Sequence, residues 1–156
     1  MTGKGIHTTD LMISLLGPVS AVSTISRRQV LSYGMDDTTL VALRFVSGQT
    51  GALGTITATP DDWRLQVYGT DAWAEIRDEN HFRMRTRDGE TTILEFDRQD
   101  CEHAILEWFA ETVETGRAWA VSERDAVANT ALLETVSLSI REANGCELCV
   151  DSAAQK

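Results

Sequence analysis

Residues 39–46, TLVALRFV, constrain the fold more than any other stretch of the chain. Side chains alternate across an extended strand, so Val41, Leu43 and Phe45 line one face. Leu40, Ala42 and Val46 line the other, interrupted only by Arg44. A strand apolar on both faces needs neighbours at its edges and cover on its faces. The neighbours are close in sequence. Residues 47–51, SGQTG, close a hairpin into residues 52–58, ALGTITA. There Leu53 faces with Thr55 and Thr57, and Ile56 faces with Gly54 and Ala58. Upstream, residues 19–30 read as another strand, in which Val19, Ala21 and Ile25 alternate with Ser20, Thr24 and Ser26.

More strands follow at tight spacing. Residues 63–68, WRLQVY, put Trp63, Leu65 and Val67 on one face and Arg64, Gln66 and Tyr68 on the other. Gly69, Thr70 and Asp71 turn the chain into residues 72–77. Residues 81–86 and 91–96 flank Asp88 and Gly89, a hairpin signal because both residue types tolerate positive φ. Helices are confined to the chain ends. The apolar run at residues 11–16 is stopped by Gly17 and Pro18. Residues 101–115 carry Ile105, Trp108, Phe109 and Val113 at helical spacing and end at Gly116. Ser122 and Asp125 resemble a capping box with Asp in place of Glu. They open a helix to about residue 143, with Leu132, Leu133, Val136 and Ile140 as its stripe and Gly145 as its stop. Residues 147–150 read as a short closing strand. Hairpin-linked strands are antiparallel, and helices gathered at the ends cover one sheet face. The expected fold is α+β: an open-faced, mostly antiparallel β-sheet of about 6–8 strands with helices packed on one face. The uncovered face, with Val46 and Ile56 on it, calls for a partner, and a homo-oligomer through that open face is expected.

Composition narrows the function classes. A length of 156 residues suits one domain with a real core, placed here at residues 1–150, with residues 151–156 as a disordered tail. A net charge of −10 argues against nucleic-acid and anionic-membrane partners. No apolar run approaches the ~18–20 residues that span a bilayer, and the N-terminus is no signal peptide. A soluble cytoplasmic protein is expected. Three cysteines, an odd number, suit a reducing compartment. Cys146 and Cys149 form a lone C-x-x-C within an expected strand, where residues three apart face opposite sides, so they read as structural. Cys101 and His103 do not complete a zinc spacing, and no metal site is expected.

The chemistry is concentrated at residues 1–17, MTGKGIHTTDLMISLLG. His7 and Asp10 sit three apart and share one face of a helix starting near residue 6 or 7. Glycines just before a helix allow close approach of a ligand to backbone N–H groups. The plainer reading is a helix start with Thr8 or Thr9 as N-cap and His7 partly exposed at the surface. Elsewhere there is no G-x-G-x-x-G after a strand, no phosphate-binding loop, no H-E-x-x-H and no G-x-S-x-G. His81 is isolated, and His103 one turn from Glu107 reads as a surface pair. The paired acids Asp36-Asp37 and Asp61-Asp62 fall in turns, where Asp bonds the backbone.

The order of motifs resembles the C-terminal domain of the glucose–fructose oxidoreductase / inositol dehydrogenase (Gfo/Idh/MocA) family. Gly5-Ile6-His7-Thr8-Thr9-Asp10-Leu11 and Leu16-Gly17-Pro18-Val19 match its opening. Asp37-Thr38, Ser47-Gly48, Val67-Tyr68-Gly69-Thr70, the Phe109 helix and Val121-Ser122 continue the likeness to about residue 150. The resemblance implies a dihydrodipicolinate reductase-like C-terminal domain that supplies substrate contacts and the oligomer interface. His7 then matches the histidine ending the family's D-x-x-x-H pattern, which contacts the substrate hydroxyl or carbonyl and assists proton transfer. Lys4, Thr8 and Asp10 are expected around it as substrate-binding residues. The pattern's aspartate falls at Gly3, a departure. The family's Glu-Lys-Pro segment with its catalytic lysine, and its NAD- or NADP-holding Rossmann domain, have no counterpart in the sequence. The expectation is therefore the substrate-binding and oligomerisation domain of an NAD(P)-dependent sugar- or polyol-type oxidoreductase, catalytically incomplete as this chain. NAD(P) is expected only together with a Rossmann domain. A stand-alone small-molecule-binding module and an assembly subunit are the other classes this sequence fits.

Overall fold

A computed structural model of the chain describes residues 4–32, 34–78, 80–119 and 121–142. The expected strand at 147–150, the Cys146/Cys149 pair and the tail lie outside the described residues. The elements are α1 (Lys4–Leu16), β1 (Val19–Arg27), β2 (Thr38–Phe45), β3 (Thr50–Ile56), β4 (Arg64–Tyr68), β5 (Ala72–Arg77), β6 (His81–Thr86), β7 (Thr91–Glu95), α2 (Cys101–Thr115) and α3 (Glu123–Glu142). The class is α+β, and within each sheet sequence neighbours pair antiparallel. The strands form two sheets rather than one, in the orders β1-β2-β3 and β4-β5-β6-β7. The ladder is interrupted between Ile56 and Arg64, where Pro60 lacks an N–H and Asp61 and Asp62 favour a turn. The chain divides accordingly into two compact units, residues 59–120 and the remainder.

The first unit holds the core. Val41, Leu43 and Phe45 of β2 are buried, Phe45 to 1% exposure. Leu53 of β3 joins them from the paired strand. On this face α1 packs against β3 and α3, while α3 packs against β1. The buried residues of α1 are Gly5, Thr8, Thr9, Met12 and Ile13, spaced i, i+3, i+4, i+7 and i+8. Thr8 and Thr9 are thus interior helix residues, not caps. Close approach to β3 depends on Gly51, where an added Cβ would lie 2.6 Å from the Met12 methyl and 3.3 Å from the Phe45 ring. α1 ends at Gly17, φ 83°, whose N–H donates to the Ile13 carbonyl at 2.8 Å.

In the second half of β1, past a register shift between Val19 and Ala21, the hydroxyl-bearing Thr24 and Ser26 face inward and Ile25 faces out. Thr24 and Ser26 are buried and Ile25 is exposed. Ser26 Oγ lies 2.9 Å from Thr39 Oγ1 of β2, so the inward hydroxyls find one another. At the outer edge of β1 the Thr24 N–H donates to Ser139 Oγ of α3 at 3.0 Å, which closes that edge position. Beyond β1 the chain is held by Asp37, 2% exposed. Its carboxylate accepts the N–H groups of Gln29 (3.0 Å), Val30 (2.7 Å) and Leu31 (2.8 Å) and the Thr38 hydroxyl (3.1 Å). These donors favour the ionised form. The Leu31 and Val30 N–H groups contribute most, and the Asp37 pKa is lowered to about 2 against the cost of burial.

The second unit is a hairpin sheet with a helix. One sheet face carries Leu65, Val67, Ala74, Ile76, Phe82 and Met84. The other carries Arg64 opposite Arg77, and Trp73 with the Arg83 guanidinium 5.4 Å from its ring centre. In the β6–β7 turn only Gly89 has positive φ, 96°. Asp88 instead accepts the Thr86 hydroxyl, which lowers its pKa. A type I turn closed by a left-handed glycine explains the wider loop. α2 is capped at both ends: Asp100 Oδ1 accepts the His103 N–H at 2.9 Å, and Gly116, φ 71°, donates to the Thr112 carbonyl. Past Gly116 the chain folds back, with Trp119 edge-on to Phe109 at 6.2 Å and Arg117 5.0 Å from the Trp108 ring. The expected apolar stripe does not become a core. Ile105, Phe109 and Val113 stay exposed, and none of the unit's described residues is fully buried. α3, by contrast, buries Asn129, Leu132 and Val136 in the first unit. The Ser122 and Asp125 cap forms, with Asp125 N–H donating to Ser122 Oγ at 3.1 Å.

Two outcomes follow from this packing. Asp37→Asn should destabilise the chain near neutral pH, because a neutral amide accepts the three N–H groups less well than a carboxylate. A folded-state pKa lowered to about 2, below the unfolded value of roughly 3.9, gives stability that is present above pH ~4 and lost as pH falls toward 2. Denaturation midpoints of wild type and variant should therefore converge over that window; a gap unchanged down to pH 2 contradicts the assignment. Native-state hydrogen exchange should find β2 amides opening at higher free energy than those of β4–β7, since only the first unit has a buried core. Equal protection in both sheets would contradict it.

Candidate functional site

α1 places the expected site residues in two different environments. Lys4 opens the helix, so His7 belongs to its first turn. With Gly5, Thr8, Thr9, Met12 and Ile13 turned to the core, the opposite side presents His7, Leu11 and Ser14 to solvent. Asp10, one turn from His7, is half-buried at the margin of that side. The structure thus brings His7 and Asp10 to one side of the helix. Thr8 is buried on the packed side and is not grouped with His7.

What holds this turn is a polar contact absent from the sequence-based reading. Thr9 Oγ1 donates to Asn129 Oδ1 of α3 at 2.7 Å, and Asn129 Nδ2 donates to the Ile6 carbonyl at 3.2 Å. Asn129 sits three residues before Leu132 in the buried stripe of α3, and that placement is the one sequence signal that could have found it.

The other candidates are scattered. His103 Nδ1 lies 3.5 Å from Glu107 Oε2 and His81 Nε2 lies 3.7 Å from Glu95 Oε1, both pairs exposed. Exposed pairs of this kind contribute little. Cys101 is exposed and free. Among the described residues, no group of three or more His, Cys, Asp or Glu side chains could hold a metal ion. No described helix is long and apolar enough to cross a membrane. A dinucleotide does not fit the described residues either. Its usual cradle is a glycine-rich turn between a parallel strand and a helix, whereas both sheets here are antiparallel throughout.

Comparison with known proteins agrees with this architecture. Residues 1–75 match the sequence model of the GFO/IDH/MocA C-terminal domain. No curated protein sequence matches the chain. Among solved structures, the chain is similar to UDP-N-acetylglucosamine 3-dehydrogenase from Acidithiobacillus ferrooxidans, with a TM-score of 0.80 at 15% identity over 89% of this chain and 46% of that one. Aldose-aldose oxidoreductase from Caulobacter crescentus, complexed with glycerol, gives 0.75 at 24% identity over 90% and 44%. An oxidoreductase from Agrobacterium radiobacter in complex with NAD+, L-tartaric acid and magnesium gives 0.73 at 20% identity over 92% and 46%. The chain therefore spans less than half the length of these relatives. Residues 1–75 are thus similar to the Gfo/Idh/MocA C-terminal domain, and the chain shares the fold of the corresponding part of these solved oxidoreductases.

Proposed function

We propose that this domain is the substrate-contacting and assembling half of an NAD(P)-dependent oxidoreductase acting on a sugar- or polyol-type hydroxy compound. The observation that carries the proposal is His7, exposed on the free side of the first turn of α1 with Asp10 one turn on. An imidazole there can donate to or accept from a substrate hydroxyl, and can take or return its proton as the carbon is oxidised or reduced. Asp10 supplies a second polar group on the same side, and Lys4, which opens the helix, is read as a further substrate contact. Thr8 enters the proposal only as a residue whose burial fixes the helix. The hydride must come from a nicotinamide held by other residues, so His7 alone leaves the reaction incomplete. Relatives crystallised with glycerol or with NAD+ and L-tartaric acid support the substrate class. A binding module without redox partners has no specific observation in its favour.

The assembly half of the proposal rests on the outer face of the first sheet. Ile25, Leu40 and Ile56 are exposed there, with Ala42, Ala52 and Gly54 between them. This apolar patch, bordered on the same face by Arg27, Arg44, Thr38 and Thr50, suits a second copy of the same face.

Each half has its own test. In isothermal titration with aldoses and polyols, His7→Ala should weaken binding by about tenfold or more, the value of one lost hydrogen bond to a polar ligand. Unchanged affinity would remove His7 from the site. In sedimentation equilibrium, Leu40→Asp or Ile56→Asp should shift an oligomer to monomer by weakening association about 100-fold, as a charge is left unpaired in the contact. An oligomer indifferent to both substitutions would place the interface elsewhere.

A further inference from the structure

We infer that Asn129 is a positioning residue for His7, acting through the Ile6 carbonyl; the functional part of this inference rests on the reading of His7 as the substrate contact. The first turn of α1 has little of its own to hold it. It contains no acidic residue to complement the helix dipole. Helix ends fray, and a helix of 13 residues is marginal without tertiary support. Support comes from α3, 120 residues away in sequence, through side chains almost free of solvent: Thr9 is 1% and Asn129 6% exposed.

The donor pattern sets the geometry. A carbonyl oxygen only accepts, so the amide nitrogen of Asn129 must face Ile6 O, at 3.2 Å. That orientation leaves Asn129 Oδ1 to accept the Thr9 hydroxyl at 2.7 Å, while Thr9 Oγ1 also lies 2.9 Å from Ile6 O. Three groups are thereby closed into one buried ring around the peptide that joins Ile6 to His7. Fixing that peptide fixes the direction of the His7 Cα–Cβ bond. His7 itself is exposed and turned away from the core, so the helix turn beneath it is what can set its place. A polar pair replaced by apolar packing could stabilise α1 equally well but would not tie down this carbonyl.

The substitution Asn129→Asp separates positioning from packing, because it keeps size and acceptor while turning an oxygen toward Ile6 O. In the 156-residue chain, carbon-13 secondary shifts should show residues 4–7 moving toward coil values while residues 10–16 stay helical. Asn129→Ala should do the same. Thr9→Val, which leaves the Asn129–Ile6 bond, should have a smaller effect. A merely structural Asn129 would lower the melting temperature and leave residues 4–7 as helical as in wild type well below it. That result overturns the inference, as does fraying of equal size in all three variants. Should Asn129→Asp not fold, the contrast between Asn129→Ala and Thr9→Val decides the question in the same way. Glucose affinity separates this inference from the one it rests on. Where wild type binds glucose, Asn129→Ala should weaken it by up to ~100-fold through misplacement of His7. Where His7→Ala leaves glucose binding unchanged, the reading of His7 fails, and the positioning of the turn is still judged by the shifts alone.

Discussion

The inward row of β2, Val41, Leu43 and Phe45, is the constraint on which the first unit depends. These side chains are buried because α1 and α3 lie over them, and the helices lie there because no other apolar surface of the unit is so continuous. Burying a large apolar side chain fully contributes roughly 1.5–3 kcal/mol, so the row outweighs any single polar contact around it. Its reach extends to His7. Where α1 meets the sheet, Gly51 leaves room for the Met12 methyl beside Phe45. The same face of α1 that meets the sheet sends its opposite face, with His7, to solvent.

The polar groups specify what the apolar row leaves loose. Asp37 gathers three consecutive N–H groups of the β1–β2 connection and so sets where β2 begins. Asn129 and Thr9 set the first turn of α1 against α3. Both are buried polar groups with their partners in place, which a packed interior requires. The second unit is built differently. Its sheet is half-covered, its helix is secured by caps and by Trp119 and Arg117 folding back, and Ile105, Phe109 and Val113 remain in water.

Much of the architecture was legible in the residues, and the exceptions have physical causes. α2 was legible because its apolar residues keep helical spacing and Gly116 stops it, and the parity of β2 was plain because its inner residues are large and apolar. β1 was harder. Its inner face carries Thr24 and Ser26, whose inward placement alternation alone does not reveal; Ser26 Oγ meets Thr39 Oγ1, and the Thr24 N–H rather than its hydroxyl bonds Ser139. Pro60, Asp61 and Asp62 signal a turn but not whether the strands on either side of it pair, so the break between β3 and β4 was not legible. At the site, the pairing of His7 with Asp10 followed from spacing. The burial of Thr8 and the role of Asn129 did not, since both depend on which face of α1 meets α3.

The proposed function gives this domain the substrate side of the reaction and no nicotinamide site. A fluorescence titration of NADH and NADPH against the purified 156-residue chain tests it most directly. The account predicts no saturable binding up to millimolar cofactor, because antiparallel sheets without a glycine-rich turn at a helix N-terminus offer the pyrophosphate no cradle. Saturable binding at micromolar cofactor would contradict it and would place hydride chemistry on this chain itself.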